Sequence, residues 1–139
     1  MGKIALEPYI FFQGNCQEAM EFYKSVFGGE LTMQTVGEAP AEVQAMPGMK
    51  PTDVMHASLK GGAVNLMASD SGKASAKAAK VELSLGGTDE TEMRKIFDAL
   101  AQDGQVRMPL AKQFWGDIFG SVSDKYGVDW MMNIGSNMA

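Results

Sequence analysis

Two stretches of this chain follow the same order of patterns, and that repeat limits the fold more than any single motif does. The first spans about residues 4–70 and the second about 79–135. In the first, Leu6–Phe12 is short, aromatic and β-branched, which reads as a strand. Gly14-Asn15 interrupts it, with Asn15 placed as an N-cap and Glu18 as its reciprocal partner. Cys16, Ala19, Phe22, Tyr23, Val26 and Phe27 then recur at helical spacing until Gly28-Gly29. Strands follow at Glu30–Val36, Asp53–Lys60 and Ala63–Ser69, the last two joined by a turn at Gly61-Gly62. Gly37–Thr52 between them is rich in proline and glycine, with one helical turn expected at Ala41–Met46.

The second stretch restarts the pattern. Lys80–Leu85 alternates strictly, as a half-buried strand does. Thr88 is placed as the cap of a helix whose apolar stripe is Met93, Ile96, Phe97 and Leu100, ended by Gly104. Strands are expected at Gln105–Ala111, Asp117–Ser123 and Val128–Ile134. Ala19, Phe22, Tyr23 and Val26 map onto Met93, Ile96, Phe97 and Leu100, and Ala63–Met67 maps onto Gly127–Met131. Each half therefore reads β-α-β-β-β. The expected fold is α+β, one domain over 1–139, with each sheet covered by its helix on one face. The other face must meet something, and function is expected there.

Composition narrows the function classes. A formal net charge of -5 and a pI near 4.8 argue against nucleic acid as a partner, since phosphate binding needs a basic face. A single Cys makes no internal disulfide, and one His with one Cys excludes zinc fingers and multi-histidine metal sites. No segment carries the roughly 18 apolar residues of a membrane helix. Glu7 and Pro8 interrupt any signal-peptide core, so the expected location is the cytoplasm. The 12 Met suit irregular cores and adaptable binding surfaces alike.

Local motifs add a resemblance. Phe11-Phe12-Gln13-Gly14-Asn15-Cys16 leads to Ala19-Met20-Glu21-Phe22-Tyr23 and then Phe27-Gly28-Gly29. Met67–Asp70, Gln113-Phe114-Trp115-Gly116, Phe119-Gly120 and Asp124–Asn133 follow in order. Together with the paired βαβββ repeat they resemble the vicinal oxygen chelate superfamily of glyoxalase I and bleomycin-resistance proteins, in its PhnB-like branch. Proteins like these have also carried a demethylubiquinone-methyltransferase label. The chain has no glycine-rich strand-to-helix loop suited to a methyl-donor cofactor, so methyl transfer is not expected. The superfamily's four metal positions fall here on Pro8, Leu66 or Met67, Lys80 and Met131. None is a ligand for a hard or borderline divalent ion, so neither metal nor cofactor is expected. The resemblance also implies a homodimer with a cavity for a small molecule.

Strand alternation assigns the open face. Val54, His56 and Ser58 lie opposite Met55, Ala57 and Leu59, and Lys80, Glu82 and Ser84 lie opposite Val81, Leu83 and Leu85. Asn65, Met67 and Ser69 share that face with Asp129, Met131 and Asn133. His56 and Glu82 are its most titratable members, with Glu82 either taking a ligand proton or pairing with Lys80. The expected ligand-binding set is His56, Glu82, Phe12, Met67 and Met131, with Trp115 and Phe119 at the mouth. Cys16, at a helix start, is read as a small buried residue rather than a nucleophile. Lys73 and Lys77 belong to a solvated loop, and Asp124 and Lys125 serve a turn. The leading function is metal-independent small-molecule binding. An enzyme using His56 and Glu82 for acid–base chemistry is the alternative, and a scaffold protein without a ligand is the third.

Overall fold

A computed structural model describes residues 7–41, 48, 50–71 and 81–135. The chain divides between Lys77 and Ala78 into two compact units. The first contains β1 (Tyr9–Phe12), α1 (Cys16–Phe27), β2 (Glu30–Thr35), β3 (Val54–Lys60) and β4 (Leu66–Asp70). The second contains β5 (Leu83–Gly87), α2 (Glu90–Ala101), β6 (Gln105–Lys112), β7 (Ile118–Ser123) and β8 (Asp129–Ile134). The sheet orders are β1-β4-β3-β2 and β5-β8-β7-β6. In each, the first strand runs parallel to the last and the remaining pairs are antiparallel. These are the paired βαβββ modules the repeat predicts. The expected turn at Ala41–Met46 lies almost wholly outside the described residues, as do Lys73, Lys77 and Lys80.

Each helix buries its apolar stripe on one sheet face. On α1, Cys16, Ala19, Met20, Tyr23 and Phe27 are buried. The strands answer with Ala57, Leu59, Leu66 and Ala68, which the register places side by side. On α2, Met93, Ile96, Phe97 and Leu100 are buried, matched by Val122, Trp130, Met132 and Ile134. A fully buried large side chain contributes about 1.5–3 kcal/mol by leaving water, so these layers dominate folding. The first stripe is rotated from the expected one, because Met20 is fully buried while Phe22 and Val26 are only half-buried.

The helix starts differ from expectation. Asn15 makes no side-chain cap bond to α1. Its Oδ1 instead accepts from Gln13 N–H at 3.2 Å, and the Cys16 N–H donates to Asp70 Oδ1 at 3.0 Å. The cap on α1 is thus a carboxylate from the end of β4. On α2 the cap is Asp89, not Thr88, with its side chain accepting from Glu92 N–H at 3.1 Å.

Gly29 and Gly104 mark the same junction in both units, just before the second strand. A Cβ on Gly29 would sit 2.6 Å from Lys60 O, and its φ of +100° already favours glycine. A Cβ on Gly104 would collide with Ser123 O. The β3–β4 connection is also longer than a glycine-glycine hairpin, because Ala63 N–H bonds back to Phe27 O (3.1 Å) and delays β4 until Leu66.

Candidate functional site

The uncovered face of each sheet follows from register. In the first unit Thr32, Ser58, Met67 and Tyr9 form one row across β2, β3, β4 and β1. Gln34 pairs with His56 and Phe11 with Ser69 on the same side. Phe11 is 69% exposed and Tyr9 38%. Tyr9 Oη lies 3.3 Å from His56 Nδ1, and the Tyr9 ring is 5.1 Å from that of Phe11. An imidazole, a phenol and a phenyl ring therefore meet on one exposed surface.

Two expectations for this face are corrected. Phe12 is paired with Asp70 on the helix-covered side and is buried, so it belongs to the core and not to the open face. One-residue parity decides this, and Phe11 takes the open position instead. Val54 is buried too, because the register shifts between Gln34 and Thr35: Thr35 pairs with Val54, leaving Met55 as an extra residue that turns Val54 inward. Tyr9 and Phe11 escaped the sequence reading, although alternation counted back from buried Phe12 points to both.

In the second unit Met131 pairs with Ser84 and Ser121, and Asn133 pairs with Gly86 and Phe119. The loop after β6 is a tight turn in which Gly116 N–H bonds Gln113 O at 3.0 Å, with Gly116 at a φ of +99°. It presents Phe114, 97% exposed, and Trp115, 49% exposed. Trp115 packs edge-on to Phe119 at 6.1 Å, and its Nε1–H points to Asn133 Oδ1 at 3.4 Å. Asn133 Nδ2 in turn donates to Asp117 Oδ2 at 2.9 Å. Trp115, Phe119 and Asn133 thus form one cluster, with Met131 two residues along from Asn133 on the same face.

Glu82 is engaged rather than open. Arg107 Nη2 lies 2.6 Å from Glu82 Oε2, and that hydrogen bond raises the arginine's already high pKa. The alternative pairing of Glu82 with Lys80 lies outside the described residues. Arg107 is the extra residue of a bulge between Val106 and Met108. Pro109 in the same strand is the sequence signal for an irregular edge.

The buried polar groups have structural tasks. Asp70 accepts from the N–H groups of Gly14 (2.8 Å), Cys16 (3.0 Å) and Val54 (2.8 Å). Asp124 accepts from Tyr126 N–H (2.9 Å), Val128 N–H (3.1 Å) and Trp130 Nε1–H (2.8 Å), so it serves the turn and also anchors the core tryptophan. Cys16 is fully buried, and burial, seconded by Asp70, pushes its thiol up to about 12. A thiol in that state is no nucleophile near neutrality.

Leu66 is buried toward the helix, whereas Met67 faces out, so Met67 and Met131 are the equivalent pair, each beside a serine of the next strand. Pro8 offers no side-chain donor, and its carbonyl accepts from Met67 N–H at 3.0 Å. Two thioethers and a proline do not fit the superfamily's divalent ion. Among the described residues no three His, Cys, Asp or Glu side chains group as metal ligands. No helix among them is long and apolar enough to cross a membrane.

Known proteins supply the context for this geometry. The family model for 3-demethylubiquinone-9 3-methyltransferase matches residues 4–133. Protein YjdN of Escherichia coli is 36% identical, over 93% of this chain and 94% of its own. A crystal structure of a Pseudomonas aeruginosa protein is 36% identical with a TM-score of 0.82, covering 95% of this chain and 98% of its own. A PhnB protein from Bacillus cereus, which also bears the methyltransferase name, is 28% identical with a TM-score of 0.75, covering 95% and 100%. At 14% identity and a TM-score of 0.59, over 91% of this chain and 94% of its own, a glyoxalase/bleomycin resistance protein/dioxygenase family enzyme from Burkholderia phytofirmans shares the fold alone. By sequence along almost its whole length, and by the strand order of both units, this chain belongs to the PhnB-like branch of the vicinal oxygen chelate superfamily.

Proposed function

We propose that this protein is a metal-independent, small-molecule-binding homodimer of the cytoplasm. The observation that carries the reading is the aromatic and polar character of the two uncovered sheet faces. Tyr9, Phe11 and His56 stand on one, and Trp115, Phe119 and Asn133 on the other. A soluble surface rarely spends large aromatic side chains beside a few aimed polar groups unless a ligand or partner covers them. Met67 and Met131 add polarizable, adaptable walls. The exposed Phe114, Val106 and Met108 supply apolar surface for a second copy.

Methyl transfer is not part of this reading. The first strand-to-helix loop is filled by the Asp70 carboxylate on Gly14 and Cys16, and the second is capped by Asp89. Neither leaves a row of open backbone amides for a nucleotide-like cofactor. The alternative, acid–base catalysis, now rests on His56 with Tyr9, because Glu82 is engaged by Arg107.

The test is a thermal-shift screen of metabolites and drugs, with elemental analysis and light scattering on the same preparation. A ligand at ~100 times its Kd should add about 2.7 kcal/mol of stability. The expected outcome is a dimer with no stoichiometric metal and at least one stabilising compound. Stoichiometric divalent metal would overturn metal independence, and a monomer would overturn the dimer. A broad library without a hit would favour a scaffold role.

A further inference from the structure

We propose that Tyr9 is a positioning residue that holds the neutral His56 ring with its proton on Nε2. The open face of the first unit then reads a hydrogen-bond-accepting oxygen, carbonyl or carboxylate, on a flat conjugated ligand. This rests on the small-molecule reading above and names the ligand chemistry of that site.

A neutral imidazole has one donor nitrogen and one acceptor nitrogen. The partner of one nitrogen decides where the proton sits on the other. Tyr9 Oη is 3.3 Å from Nδ1, and a phenol donates a hydrogen bond more strongly than it accepts one. Nδ1 therefore accepts, and Nε2 carries the proton. Among the described residues Nε2 has no partner, so it presents a single oriented N–H. That group has no lone pair for a metal ion or an amine donor, and it fits an oxygen acceptor.

The surroundings set the shape of the ligand. Tyr9 and Phe11 present aromatic surface, their centroids 5.1 Å apart and their planes inclined by 38°. Phe11 is 69% exposed beside this polar pair, so a flat apolar body laid against it would cover surface now facing water. Ser58 is a second, independent sign. Its Oγ is buried with no hydrogen-bond partner among the described residues, and it lies on the open face two residues from His56, in the row of Tyr9 and Met67. An unpaired buried hydroxyl is costly, and an ordered water or a ligand oxygen that reached it would relieve that cost.

His56 is the only histidine of the chain, so its ring signals in nitrogen NMR need no assignment. With the ring neutral, uniformly labelled protein should show a protonated Nε2 and an unprotonated Nδ1. Tyr9→Phe should move both signals toward a mixture of tautomers while the backbone spectrum stays folded. A protonated Nδ1 in the wild type, or no change in Tyr9→Phe, would overturn the positioning role. Benzoate and acetophenone, each added at millimolar concentration, should shift the Nε2 signal, whereas benzylamine should not. His56→Phe should weaken benzoate binding about fivefold, the worth of one net hydrogen bond. Equal shifts from benzylamine, or none from either oxygen compound, would overturn the acceptor-oxygen assignment. These outcomes are separable from failure of the general reading, because the tautomer is read without ligand and the thermal screen samples other chemistries.

Discussion

The two units share a topology and differ in what their polar groups do. Taking Met67 and Met131 as equivalent, Tyr9 corresponds to Ser84, Phe11 to Gly86 and His56 to Phe119. The first unit sets an imidazole and a phenol on its open face. The second leaves the place of Phe11 to a glycine and brings Trp115 in from a loop. The same contrast runs through the frame. Asp70 binds three backbone amides drawn from the β1–α1 loop, α1 and β3, while its counterpart by register is the apolar Ile134. The second unit keeps its buried carboxylate, Asp124, inside a turn of neighbouring residues and caps α2 locally with Asp89. A repeated fold thus fixes the apolar layer and leaves the polar ties free to diverge.

The strongest way to break this comparison is to remove Asp70 and Asp124 in turn. Asp70→Ala strands three backbone donors and should cost about 3 kcal/mol or more in chemical denaturation. Asp124→Ala loses two nearby amides and the indole, and should cost about 2 kcal/mol. Hydrogen exchange separates the cases: Asp70→Ala should speed exchange at Gly14, Cys16 and Val54 together. Should Asp124→Ala prove the more costly, the long-range tie would not be what distinguishes the first unit.

Gly29→Ala and Gly104→Ala test the part that the repeat holds constant. Both place a Cβ against the backbone at the end of the third strand of the unit. Each should cost about 2–3 kcal/mol by urea denaturation, with Gly29 the worse because its φ is also positive. A harmless Gly104→Ala would show that the junction is not shared.

Cys16 has no counterpart in the second unit, where α2 opens with the exposed Glu90. Its pKa is raised from 9.0 to about 12, first by burial and then by the charge of Asp70. A folded-state pKa above the unfolded one means the stability is fully present below about pH 9 and is lost as pH rises toward 12. At pH 10 the wild type should therefore have lost roughly 1 kcal/mol that Cys16→Ala does not lose, measured as the difference between their pH profiles. The thiol should also resist a disulfide reagent until the protein unfolds. Rapid labelling of the native protein would contradict its burial.

These differences explain what the sequence could disclose. Strand and helix order was legible because apolar periodicity is a local property, repeated in both halves. The open-face positions of His56, Met67 and Met131 followed from the same alternation. Phe12 and Val54 were misplaced, since one residue of parity or one bulge reverses a face and neither leaves a composition signal. The Asp70 cap was invisible because its partners lie 54 and 56 residues away in the chain, where a local capping rule points to Asn15. Arg107 was hidden in a strand whose only warning was Pro109. The candidate site was therefore read by residue type and face, and its pairwise contacts awaited the fold.

The smallest expected effect belongs to Glu82 and Arg107, the one long-range ion pair among the described residues. Their side chains are 32% and 34% exposed, so water and salt screen much of the attraction. Glu82→Gln should then change stability by less than about 1 kcal/mol, with the difference shrinking further at high salt. Arg107 also reaches Trp130 O at 3.5 Å, so Arg107→Met keeps the stem and removes only the polar head. If both variants stay within that limit, the second unit is held by its apolar layer and its local turn, in contrast with the Asp70-tied first unit. A loss above about 2 kcal/mol that salt does not relieve would mean the pair behaves as a buried one. The second unit would then depend on a distant charge as the first does, and the contrast between them would narrow to the open faces alone.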